Sequence, residues 1–542
     1  MSSRWYRLGR LASIAVLFAA CAHTGERTGP PPSPTRTERP ALVVMLVVDQ
    51  LSQVLLARHA DVFSGGFRRR IDDGRWYVNA THDHAGTVTA AGHATLSTGT
   101  WPSHHGIVAN EWHEKIDEHW VEVSNVGDST VQILDNQELE GVSPRHLMRT
   151  GLADWMVAAD PRTLVASISP KDRGAVQPAA HAPGQVYWFD NDVGRFVTST
   201  YYRDRYPEWV ERFNAEVMAA LSTDTLWTST VPPTETWRSD PDTAAHEGDE
   251  ASPYFPHRFG DPRERSDFWE WFERTPMLDA ATLDLARIAV AETGLGRDSI
   301  PDFLNVSLSQ TDRIGHDFGP LSREQLDNLL RLDRELGDFF AFLDSTVGEG
   351  RWIAGLSADH GVLVTGQDMR VGEQESARRW TPEEERAVAA IYAENAGSAD
   401  SPESPERIAR ALERLDFVAD AYTHAELMAD EPADSFAVLE RRSLYPGRAR
   451  EDFSPLGVEV RYDPWFLDRE LGSGHGTPYW YDRNVPMIFM GPGIPPGRDA
   501  TRASTTDFAP TLARLLGIPY PEDVDGSPLA GVNGPGASSR QR

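Results

Sequence analysis

The sequence predicts an α/β fold: a doubly wound, largely parallel sheet flanked by helices and carrying cap-like insertions. Three observations lead there. Apolar runs rich in β-branched residues recur at 41–50 (ALVVMLVVDQ), 303–312 (FLNVSLSQTD), 352–361 (WIAGLSADHG) and 485–493 (VPMIFMGPG), and unbroken runs of this kind belong to strands covered on both faces. Residues 323–347 place apolar side chains three and four apart, the period of a helix lying against such a sheet. Three of the runs end in an acid, or in an acid and a histidine together, and open α/β sheets gather their ligands beyond the carboxyl ends of the strands.

Taken in order, the chain begins with Arg4, Arg7 and Arg10 ahead of the apolar LASIAVLFAA. That run is too short to span a bilayer and reads as a signal peptide over residues 1–20, so the protein is expected to be exported. Cys21 follows in a context that resembles a bacterial lipoprotein processing box. Two destinations stay open: a membrane anchor through a lipid on Cys21, or a soluble periplasmic protein cut nearby. With one cysteine in the whole chain, no disulfide forms within the mature protein. Residues 21–40 hold TGPPPSPTRTERP and suit a Pro-rich tether. Folded structure is expected over 41–530, with insertions at about 111–300 and 365–470 and a flexible tail at 531–542. The first insertion carries the aromatic VYWFDNDVGRFVTSTYYRDRYPEW, a cap over the site; the second is acidic, with an exposed Pro- and Ser-rich loop near 401–405.

Lys and Arg total 52 and Asp and Glu total 82, a formal charge of −30. A field of that sign repels nucleic acid and anionic membrane surfaces. A small anionic substrate then needs local cations, and a bound metal ion is often the largest charge in its site.

The strand ends supply candidates for holding one. Asp49 closes the first run. Asp312 closes the second, with His316 one helical turn later; Asp359 and His360 close the third; His475 sits between glycines in GSGHGTP. Three carboxylates and three imidazoles suit two Zn²⁺ per chain, three ligands to each ion with a position left open. His82 and His84 in THDHAG, and His104 and His105 in PSHHG, are assigned to structure or surface. Such a centre wants an oxygen nucleophile. Among the five hydroxyls of TVTAAGHATLSTG (87–99), Thr89 stands at a strand-to-helix junction with a helix N-terminus to face a phosphate, whereas Thr95, Ser97 and Thr98 fall inside or beyond the first turns.

VVDQ, TVTAAGHATLSTGTWPSHHGIVANEW, SPKDRGAVQPAAH, TDRIGHDFGP, SADHG and GSGHGTPYWYDRNVPMIFMGPG together resemble the alkaline phosphatase superfamily. The branch they resemble is that of nucleotide pyrophosphatase/phosphodiesterase-like and phosphate-irrepressible alkaline phosphatases, over about residues 41–530. The resemblance implies that Thr89 is the nucleophile. Asp49, Asp359 and His360, joined by the Thr89 hydroxyl, would bind the zinc that activates it, and Asp312, His316 and His475 the zinc at the leaving group. It also implies an amide at Asn110 for a phosphoryl oxygen, and in Lys171 and Arg173 the cation pair of the monoesterase members. A monoester dianion exposes one more charged oxygen than a diester, so two added cations favour it. Small phosphate esters are the expected substrates. Two alternatives remain: a phosphodiesterase or nucleotide pyrophosphatase with the same metals and Thr89, and a catalytically silent surface lipoprotein that uses the fold for binding.

Overall fold

In the computed structural model the described residues are 39–117, 119–223, 225–242, 254–259, 265–364, 378–395, 404–450, 453–464, 466–467 and 473–532. The expected signal peptide, Cys21, all but the last two residues of the tether, residues 401–403 and the tail beyond 532 lie outside them.

Among the described residues nine strands form one sheet: β1 (Leu42–Val48), β2 (Arg75–Thr81), β3 (Val165–Ser169), β4 (Gln185–Asp190), β5 (Arg195–Val197), β6 (Asp302–Leu308), β7 (Trp352–Ser357), β8 (Asn484–Met490) and β9 (Gly497–Ser504). Their order across the sheet is β9-β2-β8-β7-β1-β6-β3-β4-β5. The central block β7-β1-β6-β3-β4 is parallel throughout. β8 is antiparallel to both β7 and β2, unlike the other three apolar runs. Periodicity cannot reveal this, because a strand buried on both faces has the same composition in either direction.

β1 explains its own sequence. Leu42, Val44, Leu46 and Val48 enter one core, and Val43, Met45 and Val47 enter the other, so every position must be apolar. The first core is filled by helices α3 (Met277–Thr293) and α5 (Arg323–Leu343), the second in part by α6 (Phe508–Leu516). Three further helices bear on the site: α1 (Thr89–Thr98), α2 (Asp172–Ala179) and α4 (Gln310–Phe318). Within the stretch read as the first insertion, the chain adds β3, β4 and β5 to the sheet and supplies α2. The strands of VASIS and RFV are too short to register as apolar runs. The stretch read as the second insertion builds a small apolar cluster of its own, with Ile408, Leu412, Phe417 and Val458 at its centre.

The long helix α5 is also a clamp. Its buried Asp333 accepts backbone N–H bonds from Ser64 and Gly65 (both 2.7 Å), Phe67 (2.8 Å) and Arg68 (3.3 Å), closing the start of the helix Gly66–Asp73. Removing the carboxylate strands several donors at once. Asp333→Ala should therefore lower the unfolding free energy by about 2–4 kcal/mol, read from the urea midpoint, and Asp333→Asn by less.

Candidate metal centre and nucleophile

Neighbouring strand ends bring the acids together. β1 lies between β6 and β7 in register, with Val47 opposite both Ser307 and Ser357, so Asp49 and Asp359 emerge side by side and α4 starts beside them. Ser307 and Ser309 donate hydroxyl bonds of 3.1 and 2.8 Å to Asp49. Asp359 accepts the backbone N–H of Gln50 (3.0 Å) and of His360 (2.9 Å). Asp312, on the first turn of α4, accepts the Gln50 side-chain amide at 2.8 Å. All three carboxylates are buried.

The imidazoles are held in one tautomer by their surroundings. His316, His360 and His475 each place Nδ1 within 2.8–2.9 Å of a backbone carbonyl, those of Ser473, Gly361 and Thr87. Assigning the proton to Nδ1 leaves each Nε2 with a lone pair, the usual outer support of a metal-bound histidine. The Nε2 atoms of His316 and His475 approach to 3.2 Å; with both protons on Nδ1 two lone pairs face each other, an arrangement that a shared proton or a metal cation relieves. Burial holds His360 down to about 3, and burial with His360 and His316 nearby holds His475 well below its ordinary value. Neutral imidazole is the form that ligates.

The carboxylates divide. Burial pushes Asp359 well above the usual carboxylate range, and the Asp49 carboxylate pushes it further. Burial would also raise Asp312, but His316 and Lys171 outweigh it and hold it well below. The Lys171 ammonium is 2.6 Å from Asp312 and 3.1 Å from Asp49. Asp359 Oδ2 and His360 Nε2 are buried with no hydrogen-bond partner. Oxygen and nitrogen donors that converge without partners fit a borderline divalent cation. Among the described residues, two sets of three place their ligand atoms within 4.8 Å of one another: Asp312, His360 and His475, and Asp49, His93 and Asp359. His360 Nε2 also lies 3.3 Å from Asp359 Oδ2, so it stands between the two sets, and His316 stands beside the first at 3.1 Å from Asp312.

Thr89 opens α1 and is buried. Gly92 lets that helix approach, since a Cβ there would lie 2.0 Å from the Asp359 carbonyl oxygen. Asn110 Oδ1 accepts the Ala90 N–H at 2.9 Å, fixing the amide over the helix start. Lys171, immediately before α2, is brought into the acid cluster. Arg173 is not in contact with it: its guanidinium lies 3.4 Å from Asp172, near enough for its charge to lower the His93 pKa after burial, Asp49, the Thr89 carbonyl and Lys171 have acted. His82, His84 and His105 are fully buried, and His104 pairs with Asp525 at 2.8 Å.

Two residues given no role by the sequence reading matter here. His93 spans 2.9 Å to the Thr89 carbonyl and 3.0 Å to the Ser307 hydroxyl; only its place in GHA hinted at it. Gln50 follows Asp49 at φ 64°, a left-handed conformation rare for a side-chain-bearing residue. Its N–H binds one ligand set and its amide the other. Gly315 accommodates it, because a Cβ there would stand 1.9 Å from Gln50 Oε1. Strain of this kind persists where the surroundings demand it, and clusters at functional sites.

A model of the type I phosphodiesterase / nucleotide pyrophosphatase family matches residues 43–480. Alkaline phosphatase PafA of Elizabethkingia meningoseptica is 33% identical over 541 residues, covering 92% of this chain and 95% of the relative. Alkaline phosphatase PhoV of Synechococcus elongatus is 31% identical over 541 residues, covering 94% and 96%. The crystal structure of wild-type PafA superposes with a TM-score of 0.82 at 30% identity, covering 92% of this chain and 99% of that one.

Gln50→Gly keeps the left-handed turn and deletes the bond to Asp312. It should retain metal about ten-fold less tightly, read by mass spectrometry across a chelator series, with little change in unfolding midpoint.

Proposed function

The chain belongs to the type I phosphodiesterase / nucleotide pyrophosphatase family, within the alkaline phosphatase superfamily, and on that footing we propose that it is an exported, zinc-dependent phosphate monoester hydrolase acting through a phosphothreonine at Thr89. That it is a phosphate ester hydrolase follows from its 31–33% identical relatives over nearly the whole chain. The finer reading rests on one observation above the others: the Lys171 ammonium sits inside the acid cluster, 2.6 Å from Asp312 and 3.1 Å from Asp49, where it can meet the extra charged oxygen of a monoester. The signal-like N-terminus and Cys21 support export to the periplasm, either free or anchored.

In this reading Asp49, Asp359 and His360 hold one Zn²⁺ with Thr89, and Asp312, His316 and His475 hold the other. When bound, the two ions would favour the ionised Thr89 hydroxyl and neutralise charge on the departing ester oxygen. The protein does the rest. Thr89 Oγ1 forms a bond to phosphorus as the ester P–O bond breaks, and water then releases phosphate by a second displacement. The α1 N-terminus presents backbone N–H groups to the phosphoryl oxygens. Asn110, its Oδ1 committed to Ala90, donates through Nδ2, and Lys171 donates a charge-assisted bond. The pairing of Arg173 with Asp172 favours one second reading, a diesterase with the same centre, in which that arginine serves structure.

Thr89→Ala should lose most activity while keeping about two Zn²⁺ per chain by mass spectrometry, and Thr89→Ser should keep a good part. Activity surviving in Thr89→Ala, or a wild-type enzyme active without zinc, would contradict the assignment.

Replacing Lys171 and Arg173 together by Ala should cut monoester kcat/KM by several orders of magnitude, at about 2–4 kcal/mol per lost contact, and diester kcat/KM far less. Equal losses on both substrates would reduce the pair to general phosphate binding, and a wild-type preference for diesters would establish the second reading.

A further inference from the structure

A cavity of 400 Å³ opens beside His475, between the segment Gly474–Asp482 and the small cluster of the second insertion. We propose that it receives the group to which the phosphate is esterified, and that it selects a planar, uncharged aromatic ring; this rests on the phosphomonoesterase reading of the site.

Position comes first. The cavity wall is bonded to the stretch that carries the nucleophile: His475 Nδ1 reaches the Thr87 carbonyl at 2.8 Å, and the Thr87 hydroxyl donates to the Thr477 carbonyl at 2.9 Å. Gly476, at φ 111°, lies against Val88, the residue before Thr89. An ester oxygen leaving Thr89's phosphate in the direction of His475 carries its substituent toward this space.

The lining defines what fits. Five aromatic side chains line it, those of Trp380, Phe453, Tyr462, Tyr479 and Tyr481. Trp380 and Tyr462 meet edge to face at 5.0 Å, and Tyr479 and Tyr481 lie nearly parallel at 5.8 Å. The Tyr479 hydroxyl is fixed, accepting from Arg461 at 3.2 Å and donating to the Tyr462 carbonyl at 2.5 Å. Rigid aromatic walls stack a planar ring at small entropic cost. The cations of the lining are committed: Arg450 pairs with Glu440 at 2.7 Å and Glu459 at 3.2 Å, and Arg461 with Asp420 at 3.3 Å. Glu440, Asp463 and Asp482 also border the cavity. A second phosphate, as in a nucleoside diphosphate, would meet paired cations and carboxylates, whereas an uncharged ring meets complementary faces.

Adenosine 5′-monophosphate, benzyl phosphate and glycerol 3-phosphate are all esters of primary alcohols, so their chemistry is closely matched and their ratios read the subsite. Wild-type kcat/KM should be about ten-fold or more higher for the ring-bearing substrates than for glycerol 3-phosphate. A gain on both assigns the subsite to aromatic rings in general, and a gain on the nucleotide alone to a nucleobase. Tyr479→Ala should bring the ratio toward one, and Tyr479→Phe, which keeps the ring, should preserve it. Adenosine itself should inhibit glycerol 3-phosphate hydrolysis competitively, a measurement on the wild-type enzyme that holds even if Tyr479→Ala does not fold. Equal wild-type kcat/KM on the three monoesters with no inhibition by adenosine would overturn the subsite and leave the monoesterase intact. Turnover of a diester but of none of the three would instead overturn the monoesterase reading.

Discussion

Three carboxylates, Asp49, Asp312 and Asp359, are buried at the ends of adjacent strands, and the ammonium of Lys171 contacts two of them. Burying a carboxylate costs several kcal/mol unless charge and hydrogen bonds offset it. Burial keeps two of the imidazoles around them, His360 and His475, neutral. With the three carboxylates ionised, the form that binds a cation, the site carries an excess of negative charge in a protein that is already strongly acidic. Divalent cations would resolve that excess, and the same cations would draw a phosphate dianion into a molecule whose overall field repels it.

The fold is arranged to keep those groups from relaxing apart. Setting β1 between β6 and β7 puts Asp49, Asp359 and the start of α4 at one end of the sheet. Asp279 on α3 then accepts the N–H groups of Ser309 and Gln310, at 2.9 and 3.3 Å, and Ser309 passes its hydroxyl to Asp49. Gln50 ties Asp359 to Asp312 across the cluster. On the opposite side Asn110 joins the helix that Thr89 opens to α2: its backbone carbonyl accepts the Asn125 side-chain amide at 2.7 Å, and Asn125 Oδ1 accepts from Gln177, on α2, at 3.0 Å. Thr89 and Lys171 are placed by one network, so their spacing is a property of the scaffold rather than of two loops.

Much of this was legible in the sequence because it is written in strong local patterns. Four apolar runs marked four strands, and the acids and histidines at their ends marked the cluster that the structure brings together. The roles proposed for Thr89, Asn110, Lys171 and Arg173 come from the resemblance, since single positions could not supply them. What escaped has physical reasons. The short strands β3 and β5 are specified by their neighbours, and the direction of β8 by its pairing with β2 and β7. Gln50 matters through a backbone conformation and two distant partners, neither of which its residue type announces. His93 and Asp279 work through contacts to residues far away in the chain. How the ligand atoms sit relative to one another depends on side-chain geometry, so the place of His360 between Asp359 and Asp312 could not be read from spacing.

The central claim is that Thr89 becomes covalently phosphorylated between two in-line displacements. Its most direct measurement is the stereochemical course of transfer from a monoester whose phosphorus is made chiral with oxygen isotopes, to an acceptor alcohol. Two inversions predict net retention at phosphorus. Net inversion would mean a single displacement by the acceptor, and would contradict the account.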